Sequence, residues 1–286
     1  MNKLVQDHIE NTLNHLYINP LEKCNLKCKI CYTKKTNSIL TEQEILSFVE
    51  KYQKEHEIQT ITFCGGEVFG LTYFTHLVNI LVKKGVFIQI ITNGTINKLS
   101  ELKNPNSINL IVSIDGLEKY HDLNRGKGNF NKSKLFLIEA QKKNFHTEIF
   151  SIVTKQNYLQ IQNFETFCHN NFGNIQITYH PRKPMNYLSH HPVSNIIGQI
   201  KNFDFLNKNE LNNLYKTNKV FPPKELGCYQ IALMSDGKIF ACCEGITSIG
   251  AIDDPISDII NQFIKKVSGP CLGCTQSEFM CGLIKT

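Results

Sequence analysis

The sequence has little arginine: of 31 basic residues in 286, only Arg125 and Arg182 are Arg. The lysines that make up the rest are scattered among asparagines, and no dense basic run forms. A formal net charge of +6 spread in this way lacks the clustered footprint of a nucleic-acid-binding surface and reads as solvated Lys-rich faces. No stretch approaches the ~18 consecutive apolar residues of a membrane span. The first ten residues are polar and lack the apolar core of a signal peptide. These absences predict a cytoplasmic chain with no membrane and no nucleic-acid partner. Neither a low-complexity linker nor an internal repeat of fixed length is visible.

Cysteine, by contrast, is abundant: eleven residues. In a reducing compartment clustered cysteines more often bind metal or do redox chemistry than form disulfides. Three lie within eight residues, at Cys24, Cys28 and Cys31, and six lie between Cys228 and Cys281. Only Cys64 and Cys168 stand alone.

The first ~180 residues alternate strand-like and helix-like segments. Apolar, β-branched runs at His15–Leu21, Ile58–Phe63, Val86–Ile91, Ile108–Ile114, His146–Val153 and Asn174–Tyr179 predict strands. Between them, Thr41 and Glu44 form a capping-box pattern ahead of Ile45, Phe48, Val49 and Tyr52 at helical spacing. Phe74, Leu77, Val78 and Leu81 repeat that spacing up to Gly85, and Ile161, Phe164 and Cys168 suggest another helix. Six strand–helix units imply an α/β fold with a parallel sheet, two units short of a full eightfold barrel. The pattern breaks at His180–Pro184. Residues 186–225 read as a connecting segment. Ile231–Met234 and Lys238–Ala241 flank Asp236-Gly237, a hairpin signal, and a helix near Ile256–Val267 precedes a Cys-rich tail. The division expected is therefore 1–185, 186–225 and 226–286.

Three thiolates as close as Cys24, Cys28 and Cys31 can converge on one cluster. A cubane [4Fe–4S] cluster normally takes four cysteines. With three, one iron keeps a site for another ligand. Zinc is the alternative, with His15 or a later cysteine as fourth ligand. Other strand ends carry small or polar groups in order: Cys64-Gly65-Gly66-Glu67, Thr92-Asn93-Gly94, and Ser113-Ile114-Asp115-Gly116. Each could be a plain turn. Glycines also permit close backbone approach, and a carboxylate can accept hydrogen bonds from an ammonium.

The CxxxCxxC spacing with these strand ends resembles the radical S-adenosylmethionine superfamily over about residues 14–180. The resemblance implies a partial (βα)6 TIM-like barrel, a [4Fe–4S] cluster on Cys24, Cys28 and Cys31, and cleavage of S-adenosylmethionine to a 5′-deoxyadenosyl radical. It assigns Gly65, Gly66 and Glu67 to the methionine amino group, although Val68 and Cys64 replace the more usual Pro and Thr. Asn93, Ser113 and Asp115 would contact the ribose and methionine portions. Arg125, in the run His121-Asp122-Leu123-Asn124-Arg125-Gly126, would face the cofactor carboxylate. The usual aromatic before the third cluster cysteine is Ile30 here, with Tyr32 just after it. Tyr179, His180 and Arg182 after the sixth strand are either substrate contacts or, as the preferred reading, ordinary polar loop residues.

Toward the C-terminus, Cys228, the Asp236-Gly237 hairpin, Cys242-Cys243, Cys271-x-x-Cys274 and Cys281 could enclose an auxiliary [4Fe–4S] cluster or a zinc ion. The order resembles the family's auxiliary-cluster domains, called twitch with one cluster and SPASM with two. Six cysteines favour one cluster, on Cys228, Cys242, Cys271 and Cys274. Adjacent strand residues point to opposite sides, so if Cys242 ligates the cluster, Cys243 is expected to face the cavity as a hydrogen-atom donor, with a cluster ligand or an inert thiol as the alternatives. This arrangement, with the run Gly65-Gly66-Glu67-Val68-Phe69, resembles the radical peptide epimerases. The expected activity is epimerisation of an L-residue in a ribosomally made peptide, with a reductant such as flavodoxin or ferredoxin. The first strand begins only about fourteen residues from Met1, which leaves no room for an N-terminal peptide-recognition domain. That keeps open a radical epimerase or dehydrogenase of a small molecule, such as an aminocyclitol or sugar. A metal-binding or electron-transfer protein would explain the cysteines but not the ordered strand-end motifs.

Overall fold

The structure, a computed structural model, describes residues 9–10, 12–182, 200–217, 230–243, 245 and 247–267. Cys228, Cys271, Cys274 and Cys281, and most of the connecting segment, lie outside the described residues.

Six strands form where the β-branched runs fall: β1 (His15–Ile18), β2 (Thr60–Phe63), β3 (Phe87–Thr92), β4 (Ile108–Ser113), β5 (His146–Val153) and β6 (Gln176–Pro181). Each pairs in parallel with the next. The hairpin also forms, as β7 (Ile231–Leu233) and β8 (Lys238–Phe240). Strand β7 pairs in parallel with β1, and an unforeseen strand, β9 (Ser248–Ala251), pairs antiparallel with β8. One nine-stranded sheet results, in the order β6-β5-β4-β3-β2-β1-β7-β8-β9.

Among the described residues the helices of eight residues or more are α1 (Glu42–Glu55), α2 (Phe74–Lys83), α3 (Glu118–Arg125), α4 (Asn129–Lys142), α5 (Ile161–Phe172), α6 (Lys208–Lys216) and α7 (Ile256–Val267). Helix α1 starts on a reciprocal cap: Glu44 N–H donates to Thr41 Oγ1 at 3.2 Å, and Thr41 N–H donates to Glu44 Oε2 at 2.7 Å. Its buried face is Ile45, Phe48, Val49 and Tyr52. Past the end of α2, Gly85 takes a φ of 87° that a side chain would disfavour.

Strand alternation separates two environments. Leu16, Ile18, Ile61, Phe63, Ile88, Ile90, Leu110 and Val112 join Phe48, Leu77 and Phe136 in the helix-covered core. The opposite, inner face carries polar groups. His15 Nε2 lies 2.7 Å from Thr62 Oγ1, and Thr62 Oγ1 donates to Gln89 Oε1 at 2.7 Å. Because the single hydroxyl proton of Thr62 goes to Gln89, His15 supplies its own from Nε2. Asn109 Nδ2 donates to Glu148 Oε1 at 2.8 Å. His15 thus sits at the start of β1, the opposite end from the cysteine loop, and is tied to Thr62.

The three residues expected near the substrate opening part company. Tyr179 is buried in the helix-covered core, its hydroxyl donating to Glu165 Oε1 at 3.3 Å. Arg182 is buried as well, on the Phe203 carbonyl and the Phe205 ring. His180 alone faces inward, its ring centroid 4.7 Å from that of Phe150. Strand β6 runs one pair further than the apolar pattern suggests, and its alternation carries Tyr179 outward.

Burial lowers the pKa of both His15 and His121 to about 4. Both are neutral in the folded chain at pH 7. As pH falls from about 6.5 toward 4, the unfolded chain takes up protons that the native one refuses, so stability is lost in that window. The loss is on the order of 3 kcal/mol for the fully buried His121, and less for the partly exposed His15. The thermal midpoint of the iron-free chain is therefore expected to drop between pH 7 and pH 5. An unchanged midpoint would contradict it.

Candidate active site

The chain leaves β1 into the loop that carries Cys24, Cys28 and Cys31, and this loop is braced on three sides. At its start, Gly66 N–H donates to Leu21 O at 2.8 Å and Glu67 N–H to Lys23 O at 3.1 Å. In its middle, Asn25 accepts from Asn93 Nδ2 at 2.9 Å and donates to Thr95 Oγ1 at 2.8 Å. At its end, Lys29 N–H donates to Asn124 O at 3.0 Å and Ile30 N–H to Asn124 Oδ1 at 3.2 Å.

The two glycines are there for close approach. A Cβ on Gly65 would come within 2.6 Å of Asn19 Oδ1, and one on Gly66 would overlap the Lys23 backbone and lie 2.6 Å from Glu22 O. The third member of the run, Glu67, is 2% exposed. Its carboxylate accepts from Thr92 Oγ1 at 2.8 Å, Asn93 N–H at 2.8 Å and Phe69 N–H at 3.2 Å. Burial raises its pKa against the pull of these donors. Glu67 thus ties the glycine turn to the end of β3. Asn93 is similarly committed to the loop, with its amide also 3.8 Å from Cys24 Sγ.

Asp115 and Arg125, expected to face the cofactor, face each other. Arg125 Nε donates to Asp115 Oδ2 at 2.7 Å and a terminal nitrogen to Oδ1 at 3.0 Å. Burial opposes ionisation of Asp115, but the Arg125 charge and hydrogen bonds outweigh it and hold the carboxyl below its usual range. Ser113 is half-buried at the end of β4. Ile30 is buried against Tyr120 and Phe203.

The three thiols fit an iron–sulfur cluster. They lie within electrostatic reach of one another on a single loop, and an all-thiolate donor set of this kind is the one iron–sulfur clusters take. Cys24 Sγ already accepts from Leu26 N–H at 3.4 Å, an N–H···S bond of the kind that tunes such clusters. Burial pushes the Cys28 thiol up to about 11, with Arg125 opposing. Cluster assembly must therefore displace protons.

Across β1, Cys243 packs with Tyr17 on Ala232, Met234 and Phe240. Tyr17 is the partner of Ala232 on β7 and of Thr62 on β2, so it stands on the inner face. Its phenol is raised by burial and by the neighbouring Cys64 and Cys243, with Tyr32 close by. Tyr17 has no signal in the sequence, and Asn124 enters there only as a neighbour of Arg125 in its run. An asparagine in a polar helix and a tyrosine in a strand are ordinary residues until the fold brings neighbours to them.

A mainly parallel α/β sheet whose strand ends cradle a three-cysteine loop is a frame for a cysteine-ligated cluster beside a cofactor. A sequence model of the Radical SAM superfamily matches residues 18–168, and the chain belongs to that superfamily. Curated protein sequences gave no match. Among solved structures, native anSMEcpe with bound AdoMet is similar at 18% identity and a TM-score of 0.73, covering 94% of this chain and 92% of that one. The same protein with AdoMet and the Cp18Cys peptide gives 19%, 0.72, 94% and 92%. Streptococcus suis SuiB bound to precursor peptide SuiA gives 16%, 0.62, 94% and 68%. Among the described residues no helix is long and apolar enough to cross a membrane.

Proposed function

We propose that this radical S-adenosylmethionine enzyme acts on a ribosomally made peptide and inverts an L-residue, with Cys243 as hydrogen donor. Cys24, Cys28 and Cys31 would hold the [4Fe–4S] cluster. Gly65, Gly66, Glu67, Asn93, Ser113, Asp115 and Arg125, with Tyr32 beside the loop, would line the S-adenosylmethionine site. When bound, these cofactors supply a 5′-deoxyadenosyl radical that removes a hydrogen atom from the substrate.

The position of Cys243 carries the reading. Its side chain packs with Tyr17 on Ala232, Met234 and Phe240 at the inner face. Both cysteines lie in the turn after β8 rather than on the strand, and we assign Cys242 to an auxiliary [4Fe–4S] cluster with Cys228, Cys271 and Cys274, and Cys243 to the substrate. In the donor step the S–H bond breaks and a C–H bond forms on the far face of the planar carbon. The radical left on Cys243 takes one electron from a flavodoxin- or ferredoxin-class reductant and one proton from solvent. The peptides held by anSMEcpe and SuiB support a peptide substrate. The polar inner face, His15–Thr62–Gln89 and Asn109–Glu148, favours a second reading, in which a small polar molecule such as an aminocyclitol or sugar is epimerised or dehydrogenated.

Anaerobic reaction in deuterium oxide tests both readings by mass spectrometry. The peptide reading expects one deuterium at each inverted residue. In Cys243→Ala, 5′-deoxyadenosine should still form, within about threefold of wild type, while the deuterated inverted product disappears. The donor role fails if the variant still inverts its substrate.

A further inference from the structure

Asp115 is fully buried at the end of β4 and gathers four donors. Two are from Arg125. Asn124 Nδ2 donates at 2.7 Å, and Ile152 N–H at 3.3 Å. Asn124, 2% exposed, is the pivot. Its amide nitrogen is turned to the carboxylate, which can only accept, so its oxygen must face the other way. That oxygen receives the Ile30 N–H, and the Asn124 carbonyl receives the Lys29 N–H. One side chain therefore links a buried anion to the backbone between Cys28 and Cys31. The next residue, Arg125, has a side chain only 11% exposed and is held side-on by the same carboxylate. Its charge is felt at both Cys28 and Cys31. Its backbone directly follows the Asn124 carbonyl that holds Lys29 N–H, so the pair is carried against the loop between Cys28 and Cys31.

We propose that Asn124 is a positioning residue that seats the cluster loop on Asp115, and that the Asp115–Arg125 pair presents its positive end to the cluster and makes the cluster easier to reduce. The inference rests on the cluster reading for Cys24, Cys28 and Cys31. Reduction adds one negative charge, and a fixed cation in a poorly solvated site favours it. A single Arg125 replacement would leave the Asp115 carboxylate buried without its counter-charge. The paired replacement Asp115→Asn with Arg125→Gln removes both charges and keeps polar groups in place. Removing the Asn124 amide orphans the Ile30 N–H and one carboxylate lone pair.

The experiment reconstitutes wild type, Asn124→Ala and the Asp115→Asn/Arg125→Gln pair with iron and sulfide, and omits S-adenosylmethionine. Iron per chain, cluster lifetime under a chelator, and midpoint potential by electron paramagnetic resonance are read. Circular dichroism of the iron-free chains checks the fold. Asn124→Ala is expected to lose its cluster to chelator roughly tenfold faster, as second-sphere partners of metal ligands do. The paired variant, read on its cluster-loaded fraction, is expected to show about a tenfold lower ratio of reduced to oxidised cluster at fixed potential, a shift of about 59 mV to the negative side. Wild-type chelator resistance in Asn124→Ala, or an unchanged potential in the pair, overturns the inference. Should Asn124→Ala fail to fold, the paired variant's potential decides. A wild-type chain that takes up zinc and builds no iron–sulfur cluster overturns the parent reading instead.

Discussion

Gly66→Ala is expected to strip the iron–sulfur cluster from the chain while leaving the sheet folded. The added methyl group has no vacant space, because it overlaps the Lys23 backbone and presses on Glu22 O. Backbone cannot rotate aside as a flexible side chain can. Overpacking of this kind costs about 1–3 kcal/mol in a well-packed interior, and the cheaper relief is to push the cysteine loop outward. The loop would then lose the Gly66→Leu21 and Glu67→Lys23 hydrogen bonds that fix its first turn. Iron per chain after reconstitution should fall to less than roughly a third of wild type, with the iron-free thermal midpoint lowered by a few degrees. Gly70→Ala is the control. A Cβ there meets nothing within 4 Å, and iron content should be unchanged. Equal iron in the two variants would refute the close-approach argument.

The largest loss is expected from Cys28→Ala. Replacing an outer partner of a metal ligand typically costs 10–100-fold, and a direct ligand should cost more. Formation of 5′-deoxyadenosine with a chemical reductant should fall by more than about a hundredfold, and the visible absorption of the cluster should vanish. The same is expected of Cys24→Ala and Cys31→Ala. Cys168 provides the contrast: it is buried in the helix-covered core on α5, so Cys168→Ala should cost stability and leave the cluster intact. A Cys28→Ala chain that still cleaves the cofactor would require different ligands.

Much of this architecture is written locally. Apolar, β-branched runs mark where the strands form, and the Thr41–Glu44 cap places α1 within a residue. The spacing of Cys24, Cys28 and Cys31 is equally local, since one loop delivers all three. Strand β9 was not legible, because Ser248–Ala251 is short and its partner β8 supplies the register. Nor was the joining of β7 to β1, which brings together segments more than two hundred residues apart in sequence. The surroundings of Tyr179 and Arg182 were not legible for a related reason. A polar residue at a strand end looks available until alternation turns it inward or outward.

The sequence by itself determined which residues could carry the chemistry: the three-cysteine loop, the glycine pair, and polar groups after successive strands. Those are patterns within a few residues, and local geometry preserves them. Only the tertiary structure decided what those groups touch. Asp115 and Arg125 meet each other, Glu67 anchors β3, and Asn124 holds the cysteine loop. Such partners are chosen by burial, where every donor and acceptor must find a mate among segments that the chain order keeps apart.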